Sequence, residues 1–320
     1  MRIYGAGLAG LLAGQMLRRF NPIIREEKKS LPHNHEALLR FRSDDVSIAT
    51  GIPFEKVKVQ KAIKDGENIV TWPNLFLSNL YSGKVTGEYL DRSINDLKPV
   101  DRYIAPMNLI ELMAQNLYIE YDSPLDHKRC LEANGGEEIT FTNHTDPFPI
   151  ISTIPMPVMM DIVGWKNKPE FKYKTIWSQK TMIEDPGVMV NQTIYFPHYF
   201  DSMYRMSITN NIVIGEYTEE PKNTGPNLMD SLINDFGIKA RKLSPIKTSK
   251  MKYGKLLPID EKIRREFILY LTQEYNIFSI GRFATWRQIL LDDIVKDIKI
   301  VEGLLGDSYK TKLHSEKGKK

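Results

Sequence analysis

The spacing of apolar residues changes repeatedly along the chain, and each change predicts an element. Arg2–Tyr4 has room only for a short strand, and the apolar run that follows predicts a helix to about Phe20. Pro22–Glu27 reads as a second strand. Ala37–Ser43 puts Arg40 and Arg42 on one strand face, because side chains two apart point the same way. From Gly51 to Tyr89 short apolar segments alternate with the turn markers Gly51–Pro53, Asp65–Gly66, Trp72–Pro73 and Ser82–Gly83, which predicts irregular β structure. Glu88–Leu97 is helical in spacing, as is Ala105–Leu117, where Leu109, Leu112, Met113 and Leu117 share a side. Tyr118–Tyr121 follows as a strand. The β-branched run within Phe148–Pro157, broken by prolines, fits a central strand leaving a sheet. Between Tyr173 and Tyr217 successive strands with short connections predict antiparallel sheet. Leu228–Phe236 and Asp260–Glu274 are helical, Ile277–Arg282 is the last strand, and Ile289 to about Leu305 is a long helix with Ile294, Ile298 and Val301 on one face.

The first turn carries chemistry. Gly5, Gly7 and Gly10 stand in G-x-G-x-x-G spacing between a strand and a helix. Gly5 permits the tight turn, Gly7 lets a pyrophosphate approach the backbone, and Gly10 lets the helix pack close to the sheet. The helix start at Leu8 and Ala9 offers free N–H groups and a positive dipole end to phosphates. The same pattern calls for an acid about twenty residues on, for a ribose hydroxyl, and Glu26 or Glu27 ends the second strand there.

Composition narrows the rest. The chain is long enough for two domains, or for one domain with a large insertion, and 42% hydrophobic with 26% charged residues is ordinary for a globular protein. No apolar stretch approaches a membrane span, so no membrane partner is expected. A single cysteine, Cys130, excludes an internal disulfide and a cysteine zinc cluster and suits a reducing cytoplasm. His33 and His35 share a face but are too few for a metal site, so no metal is expected. Net charge is only +4, and much of it lies in residues 306–320, a basic tail expected to be disordered. The tail serves solubility or a weak nucleic-acid contact. The opening residues lack the basic region and apolar run of a secretory leader.

Three segments share one logic: the Gly5 loop, the strand ending at Thr153–Pro155, and the strand Ile277–Gly281 with Arg282 and a helix starting near Trp286. All three belong at the carboxyl edge of one parallel sheet, where such folds bind ligands. On these residues the chain resembles the FAD-dependent oxidoreductases of the glutathione-reductase fold. Within them it is similar to the branch holding amine oxidases, protoporphyrinogen oxidase and UDP-galactopyranose mutase. Gly5, Gly7, Gly10 and Gly14 match that branch's extended glycine pattern, Glu26 or Glu27 its ribose acid, Ser152–Pro155 its Thr-x-Pro strand end, and Gly281–Arg282 the mutase's Gly-Arg. No Gly-Gly pair follows Glu26; Pro32–Glu36 stands in its place. The chain also resembles flavoprotein-like proteins of bacteriophages.

The resemblance implies an α/β protein: an FAD-binding Rossmann-like domain (residues 1–50, 105–160 and 275–305) with an inserted, mainly antiparallel β substrate domain (51–104 and 161–274). FAD is the implied cofactor. Arg40 and Arg42 either clamp its pyrophosphate or form a solvated edge, and the helix start at Trp286, Arg287 and Gln288 faces the flavin ring. The implied reaction is hydride transfer to flavin from a small amine, amino-acid or nucleotide-linked substrate. Tyr195, His198, Tyr204 and Arg205 come to the substrate from the strand-rich region, and His33, His35 and Arg40 stand near the ring. Two alternatives stay open: a non-redox mutase acting on a nucleotide sugar, and an oxidase of an amino-acid-modified base in phage DNA. No second G-x-G-x-x-G is present for a nicotinamide nucleotide.

Overall fold

Short β-branched runs such as Ile23–Ile24 and Ile150–Ile151 can be buried on both faces, whereas the alternating run Glu55–Asp65 can be buried on only one; the two kinds of strand end in different sheets. The computed structural model describes residues 1–31, 40–89, 93–133, 148–185, 187, 189–221, 226–239 and 242–317. His33 and His35 lie outside the described residues. In chain order the strands are β1 (Arg2–Tyr4), β2 (Ile23–Arg25), β3 (Arg40–Phe41), β4 (Glu55–Asp65), β5 (Asn68–Val70), β6 (Val100–Ile104), β7 (Tyr118–Glu120), β8 (Ile150–Ser152), β9 (Tyr173–Met182), β10 (Val190–Tyr195), β11 (Met203–Asn210), β12 (Ile212–Tyr217), β13 (Lys247–Leu256) and β14 (Ile277–Ser279). The helices are α1 (Leu8–Met16), α2 (Asp45–Thr50), α3 (Leu75–Thr86), α4 (Leu109–Ala114), α5 (His127–Ala133), α6 (Met156–Ile162), α7 (Pro226–Asn234), α8 (Glu261–Tyr275) and α9 (Leu291–Lys317).

The first sheet has five strands in the order β14-β8-β1-β2-β7, every pair parallel. One side is covered by α1, α4 and α9, whose Leu11, Met113 and Ile298 bury against Ile3 and Ile24. The other is covered by α6 and α8, where Met159, Phe267 and Leu271 pack on Ile150 and Ile277. This is the layered α/β arrangement expected from the glycine loop. It places α8 on the parallel sheet, although the sequence reading assigned residues 161–274 to the inserted domain.

The second sheet has nine strands. Its path runs β13-β9-β12-β11-β10-β4-β6-β3, with β5 beside β4; all pairs are antiparallel except β10 with β4. The predicted antiparallel region is therefore present, and β13 extends it.

Three local expectations are corrected. The irregular region contains helix α3: the Asn74 side chain accepts from the N–H groups of Phe76 and Leu77 and starts it, so Trp72–Pro73 marks a helix entry rather than a β turn. The helix expected over Glu88–Leu97 does not start at Glu88, because Gly87, with φ +79°, caps α3, and only Ser93–Asn95 forms a short helical turn among the described residues. After it, Val100–Ile104 forms strand β6. Lastly, α9 starts at Leu291 rather than near Trp286 or at Ile289, and its helical bounds are Leu291–Lys317.

Candidate functional site

The carboxyl ends of β1, β2, β8 and β14 meet at one crevice. Gly5 has φ +100°, and a Cβ there would lie 2.2 Å from Thr153 Oγ1. A Cβ on Gly10 would lie 1.8 Å from the Gly5 carbonyl oxygen, so the helix can seat against the turn only with glycine there. A Cβ on Gly281, where φ is +96°, would lie 2.9 Å from Ala9 Cβ, which brings the two ends of the chain together. Gly7 differs: its φ is −73°, and a Cβ there would meet nothing within 4 Å. Sterics therefore explain Gly5 and Gly10, while the space beside Gly7 is open.

That space belongs to a cavity of about 710 Å³ lined by Gly5 and Gly7, Glu26 and Glu27, Ser123–Leu125, Thr153–Pro155, Lys252–Tyr253 and Phe283. Glu26 is 7% exposed, and its carboxylate accepts from the Ala6 N–H at 2.7 Å and the Lys28 N–H at 3.1 Å. The acid thus anchors the glycine loop while its edge faces the cavity. Thr153 holds the next strand end in register: its N–H and its hydroxyl both donate to the Tyr4 carbonyl, at 3.0 and 2.9 Å. The Met156 N–H donates to the Phe283 carbonyl at 2.9 Å, tying the start of α6 to the turn after β14. Arg282 donates to the Gly254 carbonyl at 3.0 Å, and its Nε is buried without a partner. A buried guanidinium N–H without an acceptor is costly.

A second cavity of about 440 Å³ lies on the nine-stranded sheet. Alternate residues of five strands supply its wall: Val59 and Lys61 from β4, Val100 and Arg102 from β6, Thr193 and Tyr195 from β10, Arg205, Ser207 and Thr209 from β11, and Ile212, Ile214 and Glu216 from β12. Arg40, Arg42, Gln288 and Leu290 close it. A register shift between Met203 and Arg205 turns both Tyr204 and Arg205 toward one carboxylate. Tyr204 donates to Glu216 Oε1 at 2.9 Å, and Arg205 pairs with Oε2. Burial acts to raise the Glu216 pKa, but Arg205, Lys255 and the two hydrogen bonds more than offset it and hold the carboxyl below its ordinary range. Burial and the Glu216 charge push the Tyr204 hydroxyl well above its ordinary value, so it stays a neutral donor.

The sequence-predicted residues divide between these two places. Gly5, Gly7, Glu26, Glu27, Thr153 and Pro155 line the first cavity. Leu8, Ala9 and Gly10 form the α1 turn behind it. Arg40 and Arg42 line the second cavity together with Tyr195 and Arg205, not the glycine crevice. Gln288 also lines the second cavity and donates to the Leu256 carbonyl at 2.6 Å. Trp286 does not start a helix: it is a buried residue with φ +45°, donates from its ring N–H to the Leu257 carbonyl at 3.0 Å, and packs edge-on to Phe171. Arg287 pairs with Asp297. The first turn of α9 instead holds Asp292 and Asp293, which take the Arg42 N–H and the Arg42 guanidinium. His198 bonds Asp65 at 2.9 Å, and neither lines a cavity described here. The sequence reading missed Lys61, Arg102 and Glu216; only the period-2 pattern of β4, β6 and β12 marks their common face. Among the described residues no group of three or more His, Cys, Asp or Glu could hold a metal ion. No helix among them is long and apolar enough to cross a membrane.

No family model matches the chain, and no curated protein matches it. Solved structures do match over nearly its whole length. A reduced UDP-galactopyranose mutase superposes with a TM-score of 0.59 at 13% identity, covering 95% of this chain and 93% of its own. An oxidoreductase from Methanosarcina mazei gives 0.55 at 10% identity, covering 94% and 99%. A probable FAD-dependent monooxygenase from Pseudomonas aeruginosa gives 0.51 at 12% identity, covering 96% and 86%. The chain therefore has the fold of the FAD-binding Rossmann-type enzymes: a parallel dinucleotide-type sheet joined to a large, mainly antiparallel one.

Proposed function

We infer that this chain is an FAD-dependent oxidoreductase acting on a small amine, amino-acid or nucleotide-linked substrate. The observation that carries the reading is the open space beside Gly7, in a loop whose neighbours Gly5 and Gly10 are closed by contact, facing the same cavity as Glu26 and Thr153–Pro155. FAD bound there would supply a hydride acceptor, the one chemical competence the side chains lack. The residues present fit it. Glu26 offers carboxylate oxygen to a ribose, and the backbone from Gly5 to Gly10 offers N–H groups and an α-helix start to a diphosphate. Tyr195 and Arg205 then stand as substrate groups, while Tyr204, buried in the core, spends its hydroxyl on Glu216 and helps to hold that carboxylate. Arg42, with its backbone N–H and guanidinium committed to Asp292 and Asp293, fixes one end of the second cavity.

The test is to purify the protein, release and identify any bound cofactor, and mix the FAD-loaded protein anaerobically with amines, amino acids and nucleotide-linked compounds. Bleaching of the flavin by a member of one of these classes is the expected outcome; a protein that binds no flavin even after reconstitution contradicts the reading. A mutase acting on a nucleotide sugar is the second reading, supported by the Gly281–Arg282 pair and by the similarity in fold to a UDP-galactopyranose mutase. Conversion of a UDP-sugar by the reduced protein without consumption of electrons would select it.

A further inference from the structure

The second cavity has a larger excess of cations than the first, whose lining sets Arg25, Lys28 and Lys252 against Glu26 and Glu27. Five cations line it, Arg40, Arg42, Lys61, Arg102 and Arg205, against one carboxylate, Glu216. Two of the five are neutralised: Arg205 by Glu216, and Arg42 by Asp293 with Asp292 nearby. Three are bonded only to neutral acceptors among the described residues. Arg40 donates to Thr193 Oγ1 at 2.8 Å and to the Ile208 carbonyl at 2.9 Å. Arg102 donates to the Asp101 carbonyl at 2.8 Å, and Lys61 to the Asp96 carbonyl.

Such a cluster is costly to fold. Burial, and then the neighbouring Arg205, pull the Arg40 pKa down to about 10, so it remains a cation at neutral pH. Burial also lowers the pKa values of Lys61 and Arg102. Glu216 acts favourably on Arg40, Asp96 on Lys61 and Asp292 on Arg102, but burial outweighs each of them, and none forms an ion pair with these three cations among the described residues, so an arriving anion would still be attracted. The geometry suits an anion. Arg40 and Lys61 are held by backbone and hydroxyl oxygens, so their positions are set before a ligand binds, and preorganised guanidinium groups recognise carboxylate or phosphate oxygens in pairs. The cavity volume is within the range of small-molecule sites.

We propose that Arg40, Lys61 and Arg102 form a receptor for a multiply charged anionic group of the substrate, a phosphate, diphosphate or dicarboxylate, while Arg205 is not the anion ligand but is held by Glu216. The assignment to a substrate rests on the oxidoreductase reading above. It excludes a simple cationic amine as the substrate, because such a molecule would enter a cavity already rich in positive charge.

Calorimetric titration of the full chain with inorganic pyrophosphate and with succinate tests it, with ethylammonium as the cationic control. Because pyrophosphate can also occupy the glycine loop, the titrations are run on the wild type, on Gly7→Val and on Arg102→Gln. Pyrophosphate or succinate binding should survive Gly7→Val and weaken by roughly tenfold to a hundredfold in Arg102→Gln, as expected for loss of a charge-assisted contact. It should also weaken as salt is raised. Binding of pyrophosphate alone selects a phosphate-bearing substrate, and binding of succinate alone selects a carboxylate. Arg40→Gln should give the same loss; if it fails to fold, Arg102→Gln carries the test, since that side chain anchors only to its neighbour's carbonyl. Binding lost in Gly7→Val and kept in Arg102→Gln would place the anion on the loop and overturn the proposal, as would binding of neither anion or preferential binding of ethylammonium. A chain that binds no flavin but shows the Arg102-dependent binding refutes the flavoenzyme reading alone.

Discussion

The two cavities are made from different materials. The crevice at the parallel sheet is largely a backbone site: two glycines fixed by contact, one left open, strand ends in register and a carboxylate tied to the loop. The cavity on the nine-stranded sheet is a side-chain site, its wall drawn from alternate residues of five strands, with Arg40, Arg42, Gln288 and Leu290 closing it. A backbone site tolerates almost no change at its contact glycines and is written in a few consecutive residues. A side-chain site tolerates exchange of single residues and is written across most of the chain. On the proposals above, the first would hold a molecule by its diphosphate, and the second would select among substrates by charge.

The contrast is broken hardest at the contact glycines. Gly10→Val drives a side chain into the Gly5 carbonyl, 1.8 Å from the new Cβ, and should cost more than ~3 kcal/mol, seen as loss of a cooperative unfolding transition in urea. In the side-chain cavity the largest effect belongs to Glu216. Glu216→Gln leaves Arg205 without its counter-charge and should lower unfolding free energy by ~3–5 kcal/mol. The pH dependence has the same origin. The Glu216 pKa is lower folded than unfolded, so its contribution is present above the unfolded glutamate value of about 4.3 and is lost as pH falls through the folded value. Acid titration of stability should therefore be shallower in Glu216→Gln than in the wild type over that range; equal slopes would show that the pair is not stabilising.

Smaller effects sharpen the comparison. Glu26→Ala removes the acceptor of the Ala6 N–H and should cost ~1–3 kcal/mol by urea unfolding, with a matching loss of flavin affinity. An unchanged flavin affinity would show that the carboxylate serves only the loop. The smallest effect is expected at Cys130, fully buried in α5, where burial and Asp126 push the thiol up to about 12. It should resist alkylation near neutral pH in the folded protein and react once unfolded; rapid labelling of the native chain would contradict the packing of α5.

How much of this was legible in the sequence follows the same division. The glycine loop, its acid, the strand ending at Thr153–Pro155 and the return at Gly281 were all readable, because each is a contiguous signature with a steric cause. Helix α3 was not, because Gly83 and Trp72–Pro73 look like turn markers until the Asn74 cap is seen. The helix start near Trp286 rests on the family resemblance and not on periodicity, and the chain there makes a turn with Trp286 at φ +45° before α9 begins at Leu291. Arg40 and Arg42 were recognised as a pair on one face, but their destination depends on β3 joining β6 in the larger sheet, a pairing no local pattern announces. Lys61, Arg102 and Glu216 share a cavity only through long-range register, so nothing in their immediate neighbourhoods distinguishes them from solvated strand residues.

The central claim is that both ends of the polypeptide close on one FAD, and it can be tested by the flavin content of Gly7→Val. A valine there meets no protein atom within 4 Å of its Cβ, so the variant should fold and melt like the wild type. The account predicts FAD bound at one per chain in the wild type and none in the folded variant. A folded Gly7→Val protein that retains flavin at wild-type stoichiometry would contradict it.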